Sequence, residues 1–401
     1  MKKSFEYGLI AATLLFCFRA GPARAENRVE TQTFLAGTDQ ELNVYCVRGE
    51  EKGPTVLVFA GIHGEESAGF LTADRYVNIA LRKGTLIVVP RLNLRAVLTR
   101  KRAGYSGDLN RRFDGSAAVG RDAEVVRVAQ ALIGKADYVL NLHQGTGFYS
   151  PTWVNQQRNP SRWGQSNVID TPVFDLANGE RLELERFAQG VVRRANVAIP
   201  DPRYHFHVNN TDTASRTSRH KEQRKSLTYY AVTKAHRLAL GLEATKNCTE
   251  SQAVAFLSIA VNAVIREAGL AAETLPSEDA AVIARELATG RPAFEGLGID
   301  VGGQRRYCRN GETITLAKQE RLRILTVVPS SLAGTVTVDV KGFAGGRSRN
   351  EGHDLGYDIT AALLKPGFAL DAGKTRYRIE VRAGRTLVGE LFLQAAEPRT
   401  P

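Results

Sequence analysis

Four short apolar runs constrain this chain most: TVLVFA (55–60), TLIVVP (85–90), DYVLNL (137–142) and LALGLEA (238–244). Each is a near-continuous series of Val, Leu and Ile closed by turn residues, the pattern of a strand buried on both faces. Helix-like segments such as 121–134 and 180–196 lie between them. This alternation predicts an α/β fold over residues 30–250, a sheet flanked by helices.

In sheets of this kind, ligands gather beyond the carboxyl ends of the strands. His63 and Glu66 follow the first run, His143 ends the third and Glu243 ends the fourth. Four polar residues from distant positions are therefore expected at one sheet edge.

A hydrolytic zinc site needs three protein ligands and one open position. In FAGIHGEESAGF (59–70), His63 and Glu66 stand three residues apart where a strand leads into a helix, a spacing that lets both reach one ion. His143, in NLHQGTGF, is the candidate third ligand from a neighbouring strand end. Gly61, Gly64, Gly145 and Gly147 permit the tight turns this requires. Alone, the H-x-x-E spacing is more often a surface turn; the second His at another strand end is what points to a site. Glu243 sits where burial of a carboxylate is costly unless something compensates. It is either one half of a salt bridge or a general base that takes a proton from a metal-activated water.

The stretch RKRAGYSGDLNRRF (100–113) adds a basic loop. Asn110 and Arg111 together suit a carboxylate, the Arg bidentate and the Asn through its amide. Arg102 is the candidate to polarise a scissile carbonyl, with a solvated basic loop as the plain alternative; which of Arg100, Lys101 and Arg102 points inward stays open at this level. Trp163 in RWGQS is a candidate pocket wall. Of the adjacent Tyr229 and Tyr230, one is expected in the core and Tyr230 is the candidate donor to the site. His205, His207, His220, His236 and His353 lack a comparable setting and are read as structural or surface residues, with His205 and His207 the two that could border the cleft.

Residues 1–25 have a basic start (MKK), an apolar core (GLIAATLLFCF) and small residues around a cleavage point (Ala23-Arg24-Ala25). That run is short for a bilayer span and ends as a cleavage site does, so it reads as a secretory signal peptide and predicts a periplasmic protein with no stable membrane insertion afterwards. Bulky Phe16 before Cys17 argues against a lipoprotein. Cleavage removes Lys2, Lys3, Arg19 and Arg24 against Glu6, a net +3, and takes the formal charge from +12 to +9. A basic surface suits anionic partners. No arginine-rich helix or zinc-finger spacing supports nucleic acid, and export favours cell-wall polymer or acidic small substrates. Cys46, Cys248 and Cys308 remain, allowing at most one internal disulfide and offering no metal-binding spacing.

Residues 26–272 form the expected catalytic domain. Residues 273–315 read as a connector with some β-structure, in which Ser277 is placed to cap a short helix through EDAAVIARELA. Residues 316–401 read as a β-rich, sandwich-type module. GTVTVDVKGF (334–343) alternates Val336, Val338 and Val340 to one face, and RYRIEVRAGRTLVGELFLQ (376–394) reads as two strands around an Ala-Gly turn.

HxxE, a later single His, DLNR and a late strand-end Glu together resemble the zinc carboxypeptidase superfamily, which includes the succinylglutamate desuccinylase and aspartoacylase branch. DLNRRF, LNLHQGTGFY, RWGQSNVID and HKEQRKSLTYYAVTK are more closely similar to the peptidoglycan carboxypeptidases that control helical cell shape. The resemblance covers residues 30–250 and extends loosely to the β-rich tail. It implies a zinc-carboxypeptidase-like mixed sheet and a DL-carboxypeptidase that removes terminal meso-diaminopimelate from a muramyl tripeptide. By position, His63, Glu66 and His143 would bind Zn2+, Glu243 would be the general base, Asn110 and Arg111 would hold the terminal carboxylate, and Arg102 would stand beside the oxyanion. One departure is visible: members of this group can carry Gln at the first ligand position, where this chain has His63.

Two other readings stand beside this one. The first is a zinc deacylase or carboxypeptidase acting on another acidic N-acyl amino acid or peptide. The second is a non-catalytic wall-binding scaffold that uses the basic surface and the β-rich module.

Overall fold

The four apolar runs pair as the centre of one mixed sheet. In chain order its main strands are β1 (Arg28–Phe34), β2 (Leu42–Arg48), β3 (Glu51–Phe59), β4 (Leu81–Val89), β5 (Tyr138–Gly145), β6 (Ser166–Ile169), β7 (His207–Asn210) and β8 (Leu238–Thr245). Their spatial order is β1-β2-β4-β3-β5-β8-β6-β7, and the short strand Ala271–Ala272 adds to β4. This computed structural model describes residues 28–36, 38, 40–77, 79–115, 120–289, 294–328, 336–344, 354–383 and 386–396. The leader 1–25 and His353 lie outside the described residues.

Strands β4, β3, β5 and β8 run parallel, with β2 antiparallel to β4 and β6 antiparallel to β8. Val56, Leu57, Val58 and Phe59 are fully buried, as a central strand covered on both faces requires. Each such side chain contributes about 1.5–3 kcal/mol of hydrophobic stabilisation. The helices are α1 (Ser67–Asp74), α2 (Leu94–Thr99), α3 (Ala123–Ile133), α4 (Leu184–Val197), α5 (Leu227–Thr233), α6 (Glu250–Glu267) and α7 (Ala280–Thr289). α6 is buried along most of its length and opens on a capping box between Thr249 and Gln252. α7 differs from expectation at its start. Asp279, not Ser277, caps it, its carboxylate accepting from the Ala281 and Val282 amides at 2.6 and 3.2 Å, while Ser277 Oγ accepts from the Asp279 amide.

A second hydrophobic core belongs to the C-terminal part. It is built by β9 (Gly296–Val301), β10 (Gln304–Arg309), β11 (Thr313–Leu316), β12 (Leu322–Val328), β13 (Val336–Val340), β14 (Arg376–Ala383) and β15 (Thr386–Ala395). They form a three-stranded sheet, β10-β9-β12, and a four-stranded sheet, β11-β15-β14-β13. Val336, Val338 and Val340 are buried while Thr337 and Asp339 are not, the alternation of a strand with one wet face. Leu297, Ile299, Cys308 and Ile314 lie in this core, so it draws on residues that the sequence reading assigned to the connector. Leu94 and Leu98 of α2 are also buried in it, which fastens the module to the helix that leads into the 100–113 loop. Cys46, Cys248 and Cys308 are all free thiols.

Candidate metal centre and active site

β3 ends at Phe59, and the chain must turn sharply before α1. Gly61 takes a left-handed φ of 65°, and a Cβ on Gly64 would stand 1.8 Å from the Ala96 carbonyl oxygen. Only glycine fits that approach. The Gly64 amide also donates to the Lys101 carbonyl at 2.9 Å, which ties this turn to the basic loop. His63 and Glu66 are thereby held at the carboxyl end of β3, buried to 3% and 4% exposure.

His143 arrives at the carboxyl end of β5. Glu66 joins the two histidines: Oε1 lies 3.0 Å from His63 Nδ1 and Oε2 lies 2.9 Å from His143 Nδ1. Among the described residues, these three form the one group of His, Cys, Asp and Glu side chains placed to hold a metal ion, their ligand atoms lying within 4.8 Å of one another. Two imidazoles and a carboxylate, buried and turned to one centre, are the donor set of a catalytic zinc site. The residues present therefore fit zinc.

Asp108 completes the first histidine's surroundings. Its Oδ1 lies 3.1 Å from His63 Nε2 and also accepts from the Asn110 amide at 2.9 Å. A carboxylate on the far nitrogen of a ligating histidine fixes its tautomer and ring orientation. Sequence reasoning missed Asp108, although it lies within the stretch singled out as a basic loop; a carboxylate two residues before the Asn–Arg pair was the available signal.

The electrostatics follow from this geometry. Burial works to lower the His63 pKa, but the Asp108 and Glu66 carboxylates outweigh it and bring it up to about 9. Burial pushes the Glu66 and Asp108 carboxyls up, but the histidines, with Arg102 and Arg111 beside Asp108, hold both well below the usual carboxylate range. Burial dominates at His143 and lowers its pKa despite Glu66. Burial, then the nearby Glu66 charge, raises Glu243 well above that range. Glu243 is directly paired with His143 in the β8–β5 register, so their side chains share a face.

A cavity of about 330 Å³ brings most of the sequence-predicted residues together: His63, Glu66, Arg102, Asn110, Arg111, His143, Trp163 and Glu243 all line it. Arg102 is the member of the Arg100–Lys101–Arg102 run that faces the site, its Nε 3.0 Å from Asp108 Oδ2 and its Nη1 3.4 Å from Glu66 Oε1. Arg100 instead closes α2 in a left-handed conformation. Asn110 accepts the Leu227 amide at 3.0 Å, and Arg111 donates to the Asn110 carbonyl at 3.0 Å, so the pair is braced by its own backbone and by α5. Trp163 packs tightly against Gly145, where an added Cβ would stand 2.4 Å from the Trp163 Cβ, and meets His220 edge-on at 5.3 Å.

Tyr230 is the exception. Its ring packs 6.2 Å from that of Phe113 and against the main core, and it is not among the residues lining the cavity. α5 presents Thr228 there instead, two positions earlier and on another face of the helix. Lys246, Gln144, Glu222 and Asn141 also line the cavity and were not singled out from sequence. His220, read as a structural or surface residue, packs on Trp163 beside the cavity.

Residues 34–273 match the model of the catalytic domain of carboxypeptidases controlling helical cell shape. Among solved structures, the tripeptide-bound cell shape determinant Csd4 of Helicobacter pylori is 20% identical, with a TM-score of 0.55 over 92% of this chain and 100% of that one. The mDAP-bound form of the same protein, described as a D,L-carboxypeptidase, is 20% identical with a TM-score of 0.55 over 86% and 97%. At this identity the likeness is one of fold. A search of curated proteins finds no match. The domain-length match, over a cavity that holds a buried His-Glu-His set, means that the chain belongs to the family of carboxypeptidases controlling helical cell shape and is a metallocarboxypeptidase.

Proposed function

We propose that the protein is an exported, zinc-dependent DL-carboxypeptidase that removes terminal meso-diaminopimelate from the muramyl tripeptide of peptidoglycan, leaving a dipeptide. The observation that carries this reading is the convergence in one cavity of a metal-binding triad, a proton acceptor and a paired Asn–Arg able to grip a free carboxylate. The tripeptide and mDAP bound to Csd4 support the choice of substrate class. Export rests on the basic-apolar-small pattern of residues 1–25.

His63, Glu66 and His143 would hold the zinc, which when bound supplies Lewis acidity at the scissile carbonyl and a water of lowered pKa. Asn110 and Arg111 grip the terminal carboxylate, which restricts cleavage to the last residue. Glu243 takes the proton from the attacking water and returns it to the leaving amine. The Arg102 guanidinium donates to the carbonyl oxygen as negative charge develops there. Asp108 keeps His63 in the ligating tautomer, and Trp163 walls the cavity from solvent.

The test is incubation of the mature protein with muramyl tripeptide, with and without a chelator, read by mass spectrometry. Chelator-sensitive release of one diaminopimelate, with an amidated C-terminus left uncut, supports the reading. A folded, zinc-loaded sample that leaves the tripeptide intact, yet hydrolyses another acidic N-acyl amino acid, moves the substrate elsewhere.

A further inference from the structure

We infer that Asn141 reads the side chain of the leaving amino acid and selects one that ends in groups able both to donate and to accept hydrogen bonds. The inference rests on the carboxypeptidase reading of the cavity and names its substrate class more finely.

Asn141 lies on β5 two residues before His143, so both side chains leave the same face of the sheet, about 7 Å apart along the strand. It lines the cavity although it is fully buried. Neither its Nδ2 nor its Oδ1 has a partner among the described residues. Buried side-chain amides nearly always find partners, so a doubly unpartnered one facing a ligand cavity needs an explanation.

The neighbouring strands leave room in front of it. Asn141 is paired with Gly241 on β8, and Gly241 with Val168 on β6, and all three line the cavity. A Cβ at Gly241 would press on Val168 at 3.3 Å and meet no other described residue within 4 Å beyond its chain neighbours, so a glycine there both accommodates Val168 and leaves the rest of the space beside the amide open. Asn167 is the useful contrast. It too is buried without partners, but it pairs with Leu242 and so points to the opposite face, away from the cavity.

The chemistry of the amide then restricts the ligand. An apolar side chain would leave both of its polar atoms unpaired. An ammonium alone would serve only Oδ1, and a carboxylate alone only Nδ2. A side chain ending in an amino-carboxylate head, as in meso-diaminopimelate, serves both. A neutral amide also adds no charge to a cavity that already holds Arg102, Arg111, Lys246 and Glu243.

The experiment measures kcat/KM of the zinc-loaded mature chain on four peptides that differ only in the last residue: meso-diaminopimelate, Lys, Glu and norleucine. The parent is compared with Asn141→Leu, close in volume but apolar, and with Asn141→Ser, which decides the matter if the Leu variant fails to fold. The expected result is a parent preference for the diaminopimelate peptide that falls at least about tenfold in the variants, with the norleucine peptide cut as well as before or better. Asn141→Leu is also expected to melt no lower than the parent, because it removes an unpaired buried amide. Substrate ratios identical in the parent and both variants overturn the inference while leaving the carboxypeptidase intact. A uniform fall on all substrates with a lowered melting temperature overturns it in favour of a structural role. A parent that cuts none of the four peptides overturns the carboxypeptidase reading and this inference together.

Discussion

Asp108 stands 3.1 Å behind His63, on the ring nitrogen opposite the one that faces Glu66. The two residues are 45 positions apart, yet the Asp108 carboxylate both orients the histidine and caps the turn that carries Asn110 and Arg111. One side chain thus couples the candidate metal centre to the proposed carboxylate grip. Asp108→Ala is expected to weaken zinc binding about 10- to 100-fold, as loss of a ligand's outer partner does. Competition with a chromogenic chelator measures this. KM is expected to rise as well, because the Leu109–Arg111 turn loses its cap.

Glu243 and Glu66 are both carboxylates in the same cavity, but they are set up for different work. Two histidines hold Glu66 ionised, while at Glu243 burial, then the Glu66 charge, outweighs the pull of His63 and disfavours the ionised form. Glu243→Gln is therefore expected to retain one equivalent of zinc and lose about 10²- to 10⁴-fold in kcat. Metal analysis alongside steady-state kinetics checks this. Loss of zinc in the same variant would place Glu243 among the ligands instead.

Metal binding is expected to be strongly pH-dependent. His63, with its pKa raised to about 9, carries its proton at pH 7 in the metal-free protein, and Nδ1 must shed it to ligate. Zinc loading at pH 7 should release a proton, and affinity should climb as pH rises toward 9. Titration calorimetry in two buffers of different ionisation enthalpy measures both. The metal-free fold shows the converse: a raised histidine pKa contributes stability fully below its unfolded value near 6.5, and that contribution is lost as pH rises through 9.

Asp170, at the end of β6, is buried at 3% exposure and is not used by the chemistry above. Burial lifts its pKa to about 6, opposed by hydrogen bonds from Thr213 and Thr228 and by the Arg111 charge. Its ionised form is thus disfavoured in the fold. The cost is absent below pH 4, grows between 4 and 6, and is complete above 6. Asp170→Asn should be as stable as the parent near pH 4 and more stable by up to about 3 kcal/mol at pH 7. Urea unfolding at the two pH values tests the sign.

Some features were legible because they are local. A Val/Leu run closed by a turn declares a buried strand, glycine beside His63 declares a tight turn, and strand ends gather ligands whatever the rest of the chain does. On that basis His63, Glu66, His143 and Glu243 could be placed at one sheet edge from their positions alone, while Asn110 and Arg111 were legible as a carboxylate-holding pair from their chemistry and tied to the same site by the family motif. The alternation at Val336, Val338 and Val340 was legible for the same reason.

What only the tertiary structure decided depends on which faces meet. Adjacent residues on a helix point about 100° apart, so nothing in SLTYYAVT declared that Thr228 would reach the cavity while Tyr230 packed on Phe113. The partnership of Asp108 with His63 needs the Gly64–Lys101 contact to bring two loops together. The burial of Leu94 and Leu98 in the second core needs a module that begins two hundred residues later. Asn141 reads in sequence as one more residue of a buried strand; only the pairing with Gly241 opens a cavity in front of it and leaves its amide unpartnered. Sequence determined the period and the strand ends, which are set by neighbouring residues. Partners across the cavity were decided by long-range packing, which no local pattern encodes.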